Sequence, residues 1–187
     1  MGSSLPELLA ALRDVDGWMS PDQAERLYAA AIGTRAGEQI VEIGSFRGRS
    51  TIVLAGAAPE GVAVVAIDPH AGNDRGPQEI EGFAAEASED HVVFNANLAA
   101  AGVPERVRHV RSLSGAAHSE VVGGIDVLYI DGAHRYSPTL PHYRDCGVRL
   151  TPGSTMLYPH YFFSVGMPLS TLLASLAPPR LPHVRRY

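Results

Sequence analysis

The chain has 187 residues, enough for one domain with a proper hydrophobic core. Hydrophobic residues make up 45% and charged residues 19%, and the net charge of −5 with no Lys/Arg-rich run argues against nucleic acid or an anionic membrane as the main partner. The lone cysteine, Cys146, excludes an intramolecular disulfide. Because the sequence shows no signal-peptide pattern and no stretch of ~20 apolar residues, we expect a cytoplasmic protein.

Two helices are predicted in residues 1–37, which we assign as an N-terminal helical extension. Leucines at helical spacing over residues 5–12 indicate a short amphipathic helix. Ser20 and Gln23, three residues apart, form a capping-box signal for a second helix, which is expected to end between residues 33 and 37.

Residues 38–187 alternate predicted strands and helices and form the main domain. Strands are predicted at residues 39–43, 62–67, 107–110, 126–130 and 155–158. Helices are predicted at residues 50–58, 89–101, 114–122, 138–150 and 168–176. Apolar strands separated by helices indicate a doubly wound α/β fold: a mostly parallel, Rossmann-like sheet with helices on both faces. Ligands of such sheets bind beyond the carboxyl ends of the strands.

The first predicted strand runs into a glycine turn, VEIGSFRGRS, at residues 41–50. Gly44 permits a tight turn and close approach of a ligand, and Gly48 keeps the turn compact before the helix. A dinucleotide fingerprint would need a third glycine, and Glu42 would disfavour anionic phosphates there. The acid instead favours a cationic ligand with an ammonium group. The same pattern also fits a plain strand–turn–helix without a ligand.

The second predicted strand ends at Asp68, about 24 residues beyond the glycine turn. A carboxylate at this position can accept hydrogen bonds from both hydroxyls of a ribose. By itself the signal is weak, because Asp commonly caps a turn before Pro. Combined with Glu42 and Gly44 on the neighbouring strand, it predicts a nucleoside site.

Three segments resemble motifs of the class I S-adenosylmethionine-dependent methyltransferases: VEIGSFRGRST, VVAIDPH and DVLYIDGAHRY. The likeness is to small-molecule O-methyltransferases of the macrocin and catechol type and covers residues 39–173. Within that group the chain is most similar to actinobacterial sugar O-methyltransferases that act on methylated mannosides. The resemblance implies S-adenosylmethionine as cofactor and the hydroxyl of a small polar metabolite, above all a sugar, as methyl acceptor.

The resemblance also implies a cofactor site made from several strand ends. It places Glu42 and Gly44 at the methionine part, Ser45, Phe46, Gly48 and Ser50 in the turn around it, Asp68 at the ribose, Ser112 and Ser114 near adenine, and Asp131 under the transferred methyl group. The two serines near adenine also fit a simpler role as helix caps.

On the acceptor side, His134 follows Asp131 by three residues, where catechol-type enzymes carry a lysine base. A base within hydrogen-bond reach of the attacking hydroxyl speeds the transfer, so we predict that His134 and Asp131 are catalytic and that His134 is the general base. The alternative is a histidine that orients the substrate or caps the following helix.

Many relatives also bind a divalent cation, and here Asp131 and His160 are the predicted ligands. Relatives usually have His-Asp where this chain has Pro159-His160. An imidazole suits zinc, nickel or iron better than the all-oxygen site that magnesium prefers, so magnesium dependence is not expected.

The end of the chain differs from the relatives, which usually finish with a two-stranded hairpin beside strand five. After residue 176 only APPRLPHVRRY follows, and its three prolines cannot supply that hairpin. The sheet is therefore predicted to be minimal or the chain truncated, with strand five either pairing in a homodimer or covered by the tail. A chain altered in this way also fits a second function, an S-adenosylmethionine-binding protein without turnover.

Overall fold

A computed structural model describes residues 2–70, 84–117, 119–131 and 149–158, with the backbone alone for residues 84–88, 114 and 115. The predicted helix at residues 168–176, most of the one at 138–150 and the C-terminal tail lie outside these ranges. In the part that is described, no helix combines the length and apolar character that a membrane span requires.

Five parallel strands form one sheet in the order β3-β2-β1-β4-β5. They are β1 (Gln39–Ile43), β2 (Ala63–Ile67), β3 (Val107–Val110), β4 (Ile125–Ile130) and β5 (Leu150–Leu157). The strand order reverses between β1 and β4, which creates a switch point at their carboxyl ends. The predicted doubly wound α/β fold is confirmed.

The start of β5 corrects the prediction. Leu150 pairs with Ile125 of β4, so the helix predicted at residues 138–150 does not extend to Leu150. Pro152 and Gly153 would be expected to interrupt a strand. The pairing of β5 with β4 tolerates them because the register shifts there, and Thr155 resumes pairing opposite Val127. Gly153 adopts a φ of +86°, which suits glycine.

Five helices are described: α1 (Leu5–Ala11), α2 (Pro21–Ile32), α3 (Arg49–Ala57), α4 (Ala84–Ala100) and α5 (Ser114–Ala117), with a 3₁₀ turn at Pro104–Arg106. The capping box of α2 is confirmed: the Ser20 N–H donates to Gln23 Oε1 at 2.8 Å, and the Gln23 N–H donates to Ser20 Oγ at 3.3 Å. Helix α4 begins five residues before its predicted start at residue 89, and α5 is shorter than the predicted helix at residues 114–122.

Alternate residues of each strand enter two hydrophobic clusters on opposite faces of the sheet. One cluster includes residues of α1 to α4, and the other includes Ala117 and Val121. Helix α3 is buried from Ser50 to Ala57 because it lies between the sheet and the N-terminal helices. A Cβ on Gly56 would lie 2.3 Å from Leu8 Cδ2, so this glycine permits α1 to pack closely on α3.

Candidate functional site

Backbone hydrogen bonds join the carboxyl ends of four strands. The Gly44 N–H donates to Ile67 O at 2.9 Å, and the Asp131 N–H donates to Ile43 O at 2.8 Å. The Asp68 N–H donates to Val110 O at 3.2 Å. Three residues that were predicted for the cofactor site from separate motifs therefore meet at one edge of the sheet.

The glycine turn contains three residues in the left-handed region: Gly44 (φ +88°), Phe46 (φ +45°) and Gly48 (φ +88°). A Cβ on Gly48 would lie 3.2 Å from the Phe94 ring, so this glycine is required by the packing of α4. Phe46, unlike glycine, is strained in the left-handed region, and two hydrogen bonds hold its conformation. Its N–H donates to Asp68 Oδ2 at 2.9 Å, and its carbonyl accepts from His70 Nε2 at 2.6 Å.

Glu42 lies under this turn and is 0% exposed. Its two carboxyl oxygens accept hydrogen bonds from the hydroxyls of Ser50 and Thr51 at the start of α3. Burial is the main reason that the pKa of Glu42 is raised to about 8; the two hydroxyls lower it, and the nearby Asp131 and Asp68 carboxylates raise it. The structure thus directs the Ser50 hydroxyl, predicted for the cofactor turn, toward Glu42.

Asp68 is half-buried, and each of its oxygens already holds the backbone of the site. Oδ2 accepts from Phe46, and Oδ1 accepts from the His70 N–H at 2.8 Å. A carboxylate offers about four lone-pair positions. Asp68 therefore keeps acceptor capacity for the hydroxyls of a ligand while it orders the turn.

Asp131 follows β4 and accepts a hydrogen bond from the Tyr129 hydroxyl at 3.1 Å. Tyr129 is itself buried and pairs in register with Glu42. Burial raises the pKa of Asp131 to about 7, against the opposing effect of the tyrosine hydrogen bond. At neutral pH this carboxyl therefore titrates and can either accept or release a proton.

The turn fits a nucleoside ligand that carries positive charge. Ser45 Oγ is buried, and it has no hydrogen-bond partner among the described residues, which suits a polar group of a ligand. The arginines of the turn are directed elsewhere: Arg47 pairs with Asp90 at 2.8 Å, and Arg49 donates to Leu12 O at 2.9 Å. Asp68, the ionised form of Asp131 and two occupied arginines favour a cation over a phosphate.

Four predicted site residues remain: Ser112, Ser114, His134 and His160. Ser112 follows β3 half-buried, and its hydroxyl donates to Leu113 O at 3.2 Å. The side chain of Ser114 and all of His134 and His160 lie outside the described residues, so their predicted roles remain predictions.

Sequence reasoning missed four residues around the site: Thr51, Tyr129, His70 and Trp18. Trp18 is 77% exposed and stacks on Phe46 with ring centroids 5.6 Å apart. Tyr129 could have been found, because it lies two residues before Asp131 and so faces the same side of the strand. Trp18 had no local signal, since its contact depends on how the N-terminal helices dock.

Comparison with solved structures gives related folds. Cofactor-bound Rv0187 from MTB is 21% identical, with a TM-score of 0.63 over 91% of this chain and 77% of that one. The O-methyltransferase from Bacillus cereus in complex with SAH is 21% identical, with a TM-score of 0.62 over 94% and 80%. TomG, an O-methyltransferase from Streptomyces achromogenes in complex with SAM, is 19% identical, with a TM-score of 0.61 over 94% and 79%.

A search of curated proteins gave no significant match. The model of one protein family, described as a methyltransferase domain, matches residues 41–159, from the glycine turn past the end of β5. That match spans more than half of the chain and includes Glu42, Asp68 and Asp131. The chain therefore belongs to this methyltransferase family, and its fold is that of the S-adenosylmethionine-dependent methyltransferases.

Proposed function

We propose that this protein transfers the methyl group of S-adenosylmethionine to a hydroxyl of a small polar metabolite, most specifically a sugar. The observation that carries the proposal is the grouping of Glu42, Asp68 and Asp131 at the carboxyl ends of three neighbouring strands. The Asp68 carboxylate and the ionised form of Asp131 suit a ligand with an ammonium and a sulfonium group. The polar, glycine-rich segment 71–83, directly after the second motif, supports a sugar acceptor.

The residues of the site divide the work of holding the cofactor. Asp68 accepts from the ribose hydroxyls, and the buried Ser45 hydroxyl finds its missing partner on the ligand. Gly44 lets the ligand approach the backbone, Glu42 lines the methionine part as a neutral carboxyl, and Asp131 supplies negative charge when it is ionised. When bound, S-adenosylmethionine supplies an electrophilic methyl group. His134 removes the proton of the acceptor hydroxyl as that oxygen attacks.

The first test is Asp68→Ala. We expect S-adenosylmethionine to bind at least several-fold more weakly, because hydrogen bonds to a charged acceptor are worth about 1.5–3 kcal/mol. Isothermal titration calorimetry with S-adenosylmethionine, its demethylated product and NAD measures the loss and the choice of ligand.

The matched control is Asp22→Ala, which removes an exposed acid of α2 remote from the site. Because Asp68 also orders Phe46, thermal melting must show that the variant is folded. Unchanged affinity in a folded Asp68 variant, or preference for NAD, would reject the nucleoside assignment.

We also propose a divalent metal bound by Asp131 and His160. In support, Asp131 lies at the carboxyl edge of the sheet, and its ionised carboxylate is a suitable ligand. Chelation should then reduce methyl transfer, and zinc or manganese should restore it at least as well as magnesium. Full activity after exhaustive chelation would exclude a catalytic metal and leave His134 and proximity to carry the reaction.

Self-association through β5 is a further proposal. Among the described strands β5 lies at one edge of the sheet, so its outer hydrogen-bonding groups are available to a second chain or to the tail. A dimer burying about 1,200–2,000 Å² would be of ordinary size. Light scattering combined with amide exchange decides: a monomer whose β5 amides exchange rapidly would contradict both arrangements.

A further inference from the structure

Three histidines from different elements form a cluster beside the glycine turn. His70 follows β2, His91 lies on α4 and His109 lies on β3. One ring nitrogen of each lies within 4.8 Å of those of the other two. The proposed reaction uses none of these side chains.

In two of the rings one nitrogen is hydrogen-bonded and the other has no partner among the described residues. His70 donates from Nε2 to Phe46 O at 2.6 Å, which leaves Nδ1 with a lone pair. His109 hydrogen-bonds to the Asp68 backbone, and its Nε2 is left over. His70 Nδ1 and His109 Nε2 are both buried and lack a hydrogen-bond partner among the described residues.

This arrangement matches what metal-binding histidines require. A ligating histidine typically donates its other N–H to a carbonyl or carboxylate, which fixes the tautomer and the ring orientation. Without a ligand, each buried nitrogen that lacks a partner costs free energy. A shared metal ion would satisfy both.

The third imidazole is available in its neutral form. Burial lowers the pKa of His91, and the Arg111 charge lowers it further. Burial likewise lowers the pKa of His109 to about 4. Both shifts favour the uncharged ring, which is the protonation state that binds a metal. His91 Nε2 lies 3.2 Å from Asn95 Nδ2, and a metal bound at this nitrogen would replace that hydrogen bond.

The spacing allows closure around an ion. A point within about 2.8 Å of all three nitrogens exists whenever they lie within 4.8 Å of one another, whereas zinc–nitrogen bonds are 2.0–2.1 Å long. Each ring must therefore move by less than about 1 Å. Phe94 packs against His70 and His109 with ring centroids 5.2 and 4.8 Å apart, and the partial exposure of His91 and His109 leaves an open side for water.

The charges near the cluster partly cancel. Arg111 opposes a cation there, while the Asp68 carboxylate, whose charge is felt at His109, favours it. Three neutral imidazoles suit zinc and its transition-metal neighbours rather than magnesium or calcium.

We propose that His70, His91 and His109 bind one zinc-type transition-metal ion beside the glycine turn. Because His70 also holds the Phe46 carbonyl, the ion ties the glycine turn to α4 and β3. The site does not depend on the proposed methyl transfer.

The test is a zinc titration of the metal-free full chain in competition with a chromogenic chelator. His91→Phe keeps an aromatic ring in the cluster but removes the ligand, and we expect it to weaken zinc binding by at least about tenfold. The matched control, Asp131→Asn combined with His160→Ala, should keep this zinc affinity. Cobalt bound to the wild-type chain should show the visible absorption of a nitrogen-rich site, and this readout needs no variant.

Any one of three results would overturn the proposal. The first is that the wild-type chain binds no zinc, and the second is that His91→Phe binds zinc as tightly as the wild type. The third is that the variant with Asp131→Asn and His160→Ala loses the zinc while His91→Phe keeps it. The first would show an aromatic packing cluster, and the others would place the ion elsewhere. If His91→Phe does not fold by circular dichroism, His91→Gln replaces it under the same criteria.

Discussion

Replacing His134 by alanine is expected to lower the rate of methyl transfer by about 10²–10⁴-fold while leaving the affinity for S-adenosylmethionine nearly unchanged. The reason is that the acceptor hydroxyl must lose its proton as it attacks, whereas the proposed cofactor contacts come from Glu42, Ser45 and Asp68 on other strand ends.

The measurement is single-turnover methyl transfer from labelled S-adenosylmethionine, with cofactor affinity determined separately. His183→Ala, which removes a histidine near the end of the chain, is the matched control. If His134→Ala loses cofactor binding without a separate rate defect, His134 belongs to the cofactor side of the pocket. If the wild-type chain binds the cofactor but turns over none of a broad panel of polar acceptors, the binding-protein alternative is favoured.

Glu42→Gln should flatten the pH dependence of stability between about pH 5 and 8. The folded-state pKa of Glu42 is about 8, against an ordinary value of 4.5, so in this window the folded chain holds a proton that the unfolded chain has lost. The free energy of unfolding therefore falls as the pH rises, by about 1.4 kcal/mol per pH unit for one proton. Glutamine resembles the protonated acid and can still hydrogen-bond to Ser50 and Thr51, so the variant keeps the fold and loses this slope.

Denaturant unfolding at several pH values from 5 to 8 measures the two slopes. Asp131, with its pKa raised to about 7, contributes a slope of the same sign over a lower range and remains in the variant. The exposed Glu25→Gln serves as control and should leave the wild-type slope unchanged. Equal slopes for wild type and Glu42→Gln would show that Glu42 is ionised in the folded state at neutral pH.

Much of the fold is readable from local sequence patterns. Strands β1 and β3 have the predicted bounds. In β1 a short, mostly apolar run that ends at a glycine indicates both the type and the end of the element. The boundaries of α4, α5 and β5 differ from prediction where the sequence carries weak or misleading stop signals. At β5, Pro152 and Gly153 suggest a break, but the register shift next to β4 accommodates them.

The parallel α/β architecture and the three strand ends at which the acids meet follow from local sequence patterns, since carboxyl ends of parallel strands share one edge. What those side chains touch follows from the packing of the folded chain. Glu42 is predicted to line the cofactor. The docking of α3 buries this carboxyl, which raises its pKa, and two hydroxyls of that helix donate hydrogen bonds to it. His109 meets His70 because β3 pairs with β2, and His91 joins them because α4 packs over that pair. Such contacts join residues far apart along the chain, and they depend on strand pairing and helix docking that no local pattern encodes.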